Sequence, residues 1–138
     1  MHDLRTLITG STGFIGSLLT QQLEEAGYDV YRFMRHFHPR YDPNNAKIIY
    51  GDITDYQACK LAVQRSRPDI IIHLAAIATT DSYMYDHPRD FSKVIYDGTV
   101  NIAEALNDYA FSIGSSGGRP QFIFASSSEI YGHQEDKD

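Results

Sequence analysis

Short apolar runs alternate along the chain with longer segments in which apolar residues recur every three to four positions. The runs predict strands, and the longer segments predict helices. In the first helical segment, Ile15, Leu18, Leu19 and Leu23 share one face, and Gly27 follows as a stop signal. The pattern predicts strands at 4–9, 29–34, 47–50, 69–75 and 121–126, and helices at 14–26, 55–66 and 89–111.

Strands that alternate with helices imply right-handed crossovers and a parallel sheet with helices on both faces. The runs 69–75 and 121–125 are almost entirely apolar, which predicts strands buried on both faces. We therefore expect one doubly wound, Rossmann-type α/β domain over residues 1–138, in which the Gly/Ser-rich stretch 114–118 is a surface turn. Ligands of such sheets lie at the carboxyl ends of the strands, so polar residues there are the site candidates.

Composition narrows the class of protein. A length of 138 residues suits one domain, and a net charge of −6 gives no electrostatic footprint for nucleic acid or for an anionic membrane. The single cysteine, Cys59, suits a reducing compartment, and no signal segment precedes the first strand. We expect a soluble, cytoplasmic protein. His36 and His38 lie in a polar loop without further ligands, so no metal site is expected.

Three glycines, Gly10, Gly13 and Gly16, stand where the first predicted strand meets the first predicted helix. Glycine lets the backbone approach a phosphate without an intervening Cβ, and a helix start offers unpaired N–H groups and a positive dipole end. Glycines at this spacing also simply close tight turns. The flanking strand and helix favour a dinucleotide pyrophosphate site over a plain turn.

The type of dinucleotide depends on the end of the second predicted strand, about 20 residues past the glycines. NAD-binding domains carry a carboxylate there for the ribose hydroxyl, whereas this chain has Arg35 followed by His36. Asp29 stands at the wrong end of the strand to reach the ribose. An arginine pairs with a 2′-phosphate through charge-assisted hydrogen bonds, so the pattern favours NADP. NAD stays possible, with Arg35 then an exposed basic loop residue.

Four ordered segments carry a family resemblance: T-G-S-T-G-F-I-G at 9–16, G-D-I-T-D at 51–55, H-L-A-A at 73–76 and F-A-S-S-S-E-I-Y-G at 124–132. The chain resembles the NAD(P)-dependent epimerase/dehydratase family of extended short-chain dehydrogenase/reductases. It is most similar to the branch of GDP-mannose 4,6-dehydratases and GDP-4-keto-6-deoxymannose reductases, in which the second strand also ends in arginine and the cofactor is NADP. UDP-glucuronate decarboxylases share the Ser-Glu-x-Tyr-Gly ending.

The resemblance implies roles for individual residues. The pyrophosphate contacts would come from the glycine loop, and they are Gly10, Thr12, Gly13, Phe14, Ile15 and Gly16. The remaining cofactor contacts would be Arg35 at the 2′-phosphate, Asp52 and Ile53 at the adenine, and Leu74, Ala75 and Ala76 at the nicotinamide-side ribose. Ser127 would bond the sugar 4-oxygen during hydride transfer, and Glu129 would act as the base at C5.

Each implied catalytic role has a simpler alternative. Ser127, with the serines on either side of it, also suits a helix-capping cluster after a strand. Glu129 also suits the first turn of a helix, where it complements the dipole. His73, inside a buried apolar run, is better interpreted as a hydrogen-bonded core histidine than as a catalyst.

Two departures from the family pattern bear on activity. The family's Tyr-x-x-x-Lys pair does not follow Gly132, and the match from Tyr56 to Lys60 is interpreted as accidental. Ile95 stands where the family typically carries Asn or Asp. We therefore expect the NADP-binding part of a nucleotide-sugar dehydratase or reductase, inactive by itself and homo-oligomeric through the apolar edge of the last strand. A stand-alone dinucleotide-binding module and a purely structural fragment are the alternatives.

Overall fold

The computed structural model describes residues 4–42, 44–77, 86–114 and 118–127. One parallel sheet, ordered β3-β2-β1-β4-β5, contains β1 (Arg5–Thr9), β2 (Asp29–Met34), β3 (Ile48–Tyr50), β4 (Ile70–His73) and β5 (Gln121–Phe124). The helices are α1 (Phe14–Glu25), α2 (Tyr56–Ser66), α3 (Pro88–Ser92) and α4 (Gly98–Ile113). The predicted Rossmann-type parallel sheet is confirmed.

The helices cover both faces of the sheet, as the strand–helix alternation predicts. The core on one face joins strand residues such as Leu7, Phe33 and Ile71 to residues of α2 and α4. Helix α1 packs against β1 and β2 but contributes nothing to that core. Because side chains alternate across a strand, α1 lies on the opposite face, where its buried residues are Gly16 and Thr20.

The prediction that the last two strands are buried on both faces is wrong. In β5 only Phe122 is half-buried, and Ile123 and Phe124 are each 48% exposed. In β4, Ile71 and His73 are buried while Ile70 and Ile72 are only half-buried. The reason is geometric: β5 stands at the edge of the sheet formed by the described strands, and α1 packs mainly against β1 and β2. An apolar run shows that the side chains are hydrophobic, but whether they are buried depends on which other elements pack on the strand.

The long helix predicted at 89–111 is interrupted by a π-helical turn at Lys93–Asp97, between α3 and α4. The hydroxyl of Thr99 donates to the carbonyl of Ile95 at 2.6 Å within this wider turn. Gly98 is buried at its end, and a Cβ there would come within 2.8 Å of the Ile53 side chain. The turn thus adapts the helix to a contact with the segment after β3, which periodicity in the sequence does not reveal.

Arg32 of β2, which is 6% exposed, contacts the loop between β2 and β3. Its guanidinium donates to the Glu24 carboxylate of α1 at 2.8 Å and lies 4.9 Å from the centre of the Tyr41 ring. Its backbone N–H donates to the carbonyl of Lys47, where the chain returns towards β3. One buried arginine of β2 therefore contacts α1, the middle of the loop that begins at Arg35, and the end of that loop before β3.

Candidate functional site

The strand order reverses direction between β1 and β4, and the glycine loop follows β1 at that point. From β1 the chain moves to β2 and β3 on one side, then returns to β4 and β5 on the other. The carboxyl ends at such a switch point form the crevice in which doubly wound sheets bind ligands. The turn is closed by the Gly13 N–H, which donates to the Gly10 carbonyl at 3.0 Å.

The three glycines of this loop serve different purposes. Gly10 has a φ of +71°, and a Cβ there would lie 2.7 Å from the backbone of Leu74 and Ala75. A Cβ on Gly16 would lie 2.1 Å from the Gly10 carbonyl oxygen. Gly13 has an ordinary φ of −72°, and its Cβ would meet only that same oxygen, at 3.3 Å. Gly10 and Gly16 are therefore required by the packing of the chain itself, whereas exposed Gly13 leaves space in front of the helix.

The start of α1 is suited to a phosphate. No side chain caps the helix, and no acidic residue lies in its first turn, so the first N–H groups have no side-chain acceptor. Beside them, the hydroxyl of Ser11 is fully buried and has no hydrogen-bond partner within the part of the chain that the structure describes. Phe14 and Ile15, the first residues of the helix, are 97% and 65% exposed. Unsatisfied donors next to a positive dipole end are what a bound phosphate would satisfy.

Asp52 lies beside the basic residues at the end of β2. Its Oδ1 accepts from the N–H and the hydroxyl of Thr54, at 2.9 and 2.8 Å. Burial alone raises the pKa of the Asp52 carboxyl, but these hydrogen bonds and the charges of Arg35 and His36 outweigh burial, and the net pKa is lowered. The carboxylate is therefore ionised, and the structure brings the predicted adenine-side and 2′-phosphate-side residues into one electrostatic neighbourhood. Asp55, not Asp52, caps α2.

The acidic residue of β2, Asp29, is far from this neighbourhood. Asp29 begins the strand, at the amino end, where it pairs with Lys47 at 2.6 Å and with Arg5 at 4.0 Å. The hydrogen bond and charge of Asp29 raise the pKa of Lys47. The interpretation that Asp29 stands at the wrong end of the strand is confirmed, and the only acidic side chain of β2 is absent from the site.

His73, the last residue of β4, is 1% exposed and hydrogen-bonded at both ring nitrogens. Its Nδ1 lies 2.7 Å from the Thr9 hydroxyl, and its Nε2 lies 3.0 Å from the Thr99 hydroxyl. Burial lowers the pKa of the imidazole to about 4, so it is neutral at physiological pH. The interpretation of His73 as a buried, hydrogen-bonded histidine is confirmed.

The remaining predicted residues follow β3, β4 and β5. Ile53 is 8% exposed, and its side chain joins the hydrophobic core. Leu74 and Ala75 are half-buried and Ala76 is exposed, directly after β4. Ser127 is exposed shortly after β5, at the same edge of the sheet. Glu129 lies outside the described residues.

The accidental match to the family's Tyr-x-x-x-Lys pair lies in the first turns of α2, where both side chains contact α4. The Tyr56 hydroxyl donates to the Asp108 carboxylate, and the Lys60 amine lies 3.7 Å from the same carboxylate. The hydrogen bond to Asp108 raises the pKa of Tyr56. A tyrosine that accepts protons near neutrality needs a lowered pKa, so this environment agrees with the interpretation of the match as accidental.

The described ranges 4–42, 44–77, 86–114 and 118–127 lack both a cluster of metal-ligating side chains and a membrane-spanning helix. No group of three or more His, Cys, Asp or Glu side chains there is placed to hold a metal ion. The helices in these ranges include none long and apolar enough to cross a membrane. Cys59 is fully buried, and burial raises the pKa of its thiol to about 12, which makes it unreactive.

Sequence reasoning missed three contributors to this site: the hydroxyls of Thr9, Ser11 and Thr99. From the sequence, a threonine near a strand end is interpreted as an ordinary β-forming residue, and Ser11 as a turn residue. Thr99 lies 26 residues from His73 in the chain, and only the packing of α4 on the sheet joins them. The one available signal was a polar residue, Thr9, at the end of an otherwise apolar strand.

Comparison with known proteins gives consistent matches. A model of the NAD dependent epimerase/dehydratase family matches residues 6–138. The chain is 33% identical to UDP-N-acetyl-alpha-D-glucosaminuronate decarboxylase of Bacillus cytotoxicus, over 93% of this chain and 38% of that protein. It is 30% identical to GDP-mannose 4,6-dehydratase of Vibrio cholerae, over 96% of this chain and 37% of that protein.

A solved structure gives the same result for the fold. Thermus thermophilus UDP-glucose 4-epimerase in complex with NAD is 27% identical and matches with a TM-score of 0.79, over 98% of this chain and 42% of that one. The chain therefore spans about two-fifths of the length of these relatives. The resemblance drawn from the four sequence segments is confirmed.

Proposed function

The chain belongs to the NAD dependent epimerase/dehydratase family, and from that premise we propose that it binds a nicotinamide dinucleotide at the glycine loop. The observation that carries the proposal is the set of unsatisfied donors at the start of α1. The first turn of α1 is uncapped, the buried Ser11 hydroxyl has no hydrogen-bond partner among the described residues, and Gly13 places no side chain before the helix. A pyrophosphate there would accept from these groups. When bound, the nicotinamide would supply hydride transfer.

We further propose that the preferred dinucleotide is NADP. Arg35 and His36 are exposed directly after β2, and within β2 the only carboxylate, Asp29, is held by Lys47 at the far end. A ribose 2′-phosphate would find a positive, exposed neighbourhood there, whereas the ribose hydroxyl of NAD would find no carboxylate from β2. Asp52 would accept from the adenine amino group through the oxygen that does not bind Thr54.

Titration of NADPH and NADH against the purified chain tests this proposal. We expect tighter binding of NADPH, and we expect Arg35→Ala to weaken NADPH by roughly tenfold or more while NADH changes little, because a charged hydrogen bond contributes about 1.5–3 kcal/mol. Arg65→Ala, an exposed arginine in the last turn of α2, is the matched control and should leave both affinities unchanged. Tighter NADH binding would contradict the NADP assignment, and binding of neither would contradict the dinucleotide site.

The substrate we propose for the whole catalytic unit is a nucleotide sugar, in a dehydratase- or reductase-type oxidoreductase reaction in the cytoplasm. The support is the family and its GDP-mannose 4,6-dehydratase members, together with Ser127 at the carboxyl edge of the sheet. Ser127 would bond the sugar 4-oxygen, and Glu129 would remove the C5 proton. Residues 1–138 contain no Tyr-x-x-x-Lys pair after the Tyr-Gly ending, so we expect no turnover from them alone. The alternative is a non-catalytic dinucleotide-binding module or sensor.

Self-association through β5 is a separate proposal. Among the described strands it pairs only with β4, and its Ile123 and Phe124 side chains are each 48% exposed. An open apolar edge invites pairing with another strand, and a lysine on such an edge opposes it. Sedimentation velocity over a concentration series should show a dimer or larger species that Ile123→Lys shifts to monomer. Leu61→Lys, at a 49% exposed position of α2, should not shift it; a monomeric wild-type chain at high concentration would contradict the proposal.

A further inference from the structure

A chain of side-chain hydrogen bonds connects three segments of the candidate site. It runs from the Thr9 hydroxyl at the end of β1, through both ring nitrogens of His73 at the end of β4, to the Thr99 hydroxyl in α4. The Thr99 hydroxyl in turn donates to the Ile95 carbonyl in the π-helical turn. At its other end, the Thr9 hydroxyl lies 3.2 Å from the backbone nitrogens of Leu74 and Ala75.

The partners fix the direction of every hydrogen bond in this chain. Thr99 uses its single hydroxyl hydrogen on the Ile95 carbonyl, so it accepts from His73, and Nε2 must carry the imidazole hydrogen. In a neutral ring Nδ1 is then an acceptor, and the Thr9 hydroxyl donates to it. The Thr9 oxygen is thereby left to accept from the N–H groups of Leu74 and Ala75. Each hydroxyl thus donates one hydrogen bond and accepts at least one, and reversal of the imidazole tautomer would leave the hydroxyls of Thr9 and Thr99 without a matching partner on the ring.

The imidazole is also fixed in orientation. Its ring stacks on Phe122 at 6.0 Å and on Phe124 at 5.7 Å, both from β5. Among the described residues, the groups that face it are Thr9 from β1, Thr99 from α4 and two phenyl rings from β5. Burial lowers the pKa of His73, and none of the described charged side chains contributes to that shift. The neutral ring is held by hydrogen bonds at both nitrogens and by stacking on its face. It therefore cannot change tautomer without losing these side-chain hydrogen bonds.

The series of hydrogen bonds joins the end of β1, the end of β4 and the π-helical turn. The distances between these segments must stay fixed if a dinucleotide is to lie across them. Gly10, the residue after Thr9, packs so closely on Leu74 and Ala75 that a Cβ would come within 2.7 Å of their backbone. The π-helical turn lies beside the segment after β3, because Gly98 contacts Ile53 and the Asn101 amide donates to the Ile53 carbonyl at 3.0 Å. His73 is the buried group that bonds to both sides.

We propose that His73 is a positioning residue: as the Nε2–H tautomer bonded to Thr9 and Thr99, it locks the glycine loop, the end of β4 and the π-helical turn into one unit. This inference rests on the proposed dinucleotide site for its functional consequence, which is that the glycine loop is held ready for the pyrophosphate. It makes Thr99, which lies in a different element, a determinant of cofactor affinity.

The test uses Thr99→Val, which keeps the shape of the side chain but removes both of its hydrogen bonds, with Thr99→Ser as the conservative variant. We expect Thr99→Val to speed hydrogen exchange of the Ala75 amide about tenfold, although Ala75 bonds to Thr9 and not to Thr99. We expect NADPH affinity to fall by a similar factor, and Thr99→Ser to restore both values. The imidazole ¹⁵N spectrum of the wild-type chain should show a hydrogen on Nε2 and none on Nδ1.

Three results would overturn the inference: an Nδ1–H tautomer, an Ala75 exchange rate unchanged in Thr99→Val, or an NADPH affinity that Thr99→Val does not alter. A merely local role of Thr99 would speed exchange in the π-helical turn and leave Ala75 as it is. If the wild-type chain binds no dinucleotide, the proposed function fails. The exchange and ¹⁵N measurements, which need no cofactor, then still decide whether His73 locks the three segments together.

Discussion

Gly16→Ala should lose both dinucleotide binding and a large part of the folding free energy. The added Cβ would lie 2.1 Å from the Gly10 carbonyl oxygen and 3.0 Å from the Ser11 Cα, and these are backbone atoms that cannot rotate away. Helix α1 must therefore move off the loop, and Thr20, which is buried one turn later, would move with it. Overpacking of this kind costs about 3 kcal/mol, which chemical denaturation with urea would measure.

Gly13→Ala is the matched variant in the same loop. Its φ of −72° suits alanine, and the added Cβ would meet only one oxygen, at 3.3 Å. We expect the free energy of unfolding to change by less than about 1 kcal/mol. Dinucleotide affinity should nevertheless fall steeply, since the methyl group would occupy the space in front of the uncapped helix. A Gly13→Ala chain that binds NADPH as well as the wild type would show that no phosphate lies there.

The second large effect is acid destabilisation through His73. The imidazole has a pKa of about 4 in the folded chain, against an ordinary value of 6.5 that the unfolded chain would show. Below pH 6.5 the unfolded chain binds a proton that the folded chain does not, so stability falls as the pH falls. The loss accumulates between about pH 6.5 and 4 and is level below. Such a difference in pKa corresponds to about 3 kcal/mol.

Urea unfolding at intervals from pH 7 to pH 4 would measure this loss. His73→Phe, which keeps the aromatic stacking but cannot titrate, should be less stable at pH 7, because two hydroxyls lose their partner, and should show a flatter slope from pH 6.5 to 4. His36→Gln, which removes an exposed histidine after β2, should keep the wild-type slope. An identical slope in His73→Phe would show that other groups cause the acid loss.

The fold was readable because its signals are local. Apolar runs and helical periodicity predicted β2 at Asp29–Met34 without error and α1 and α2 to within one residue. The π-helical turn was missed because it depends on the contact between Gly98 and Ile53. Ile53 lies 45 positions before Gly98, and no local sequence pattern connects the two residues. The exposure of β5 was missed because burial depends on what packs on a strand, and an apolar sequence does not specify its cover.

The candidate site divides in the same way. Gly10, Gly13, Gly16, Arg35 and Asp52 stood out because their residue types follow strand ends, and the parallel sheet then brings those ends to one edge. The sequence could not distinguish the glycines from each other. Only the tertiary contacts show that Gly10 and Gly16 are required by the chain's own packing, while Gly13 faces open space.

By itself, the sequence determined the alternation of strands and helices, the glycine loop between β1 and α1, the basic residue in place of a carboxylate after β2, and the family. Each of these follows from residues that are neighbours in the sequence, because backbone preference and hydrophobic periodicity are local properties. The tertiary structure alone decided that His73 joins Thr9 to Thr99, that Ser11 is buried without a partner among the described residues, and that β5 is largely exposed. Those features depend on which distant segments come to lie together, and hydrogen bonds and burial are set only once they do.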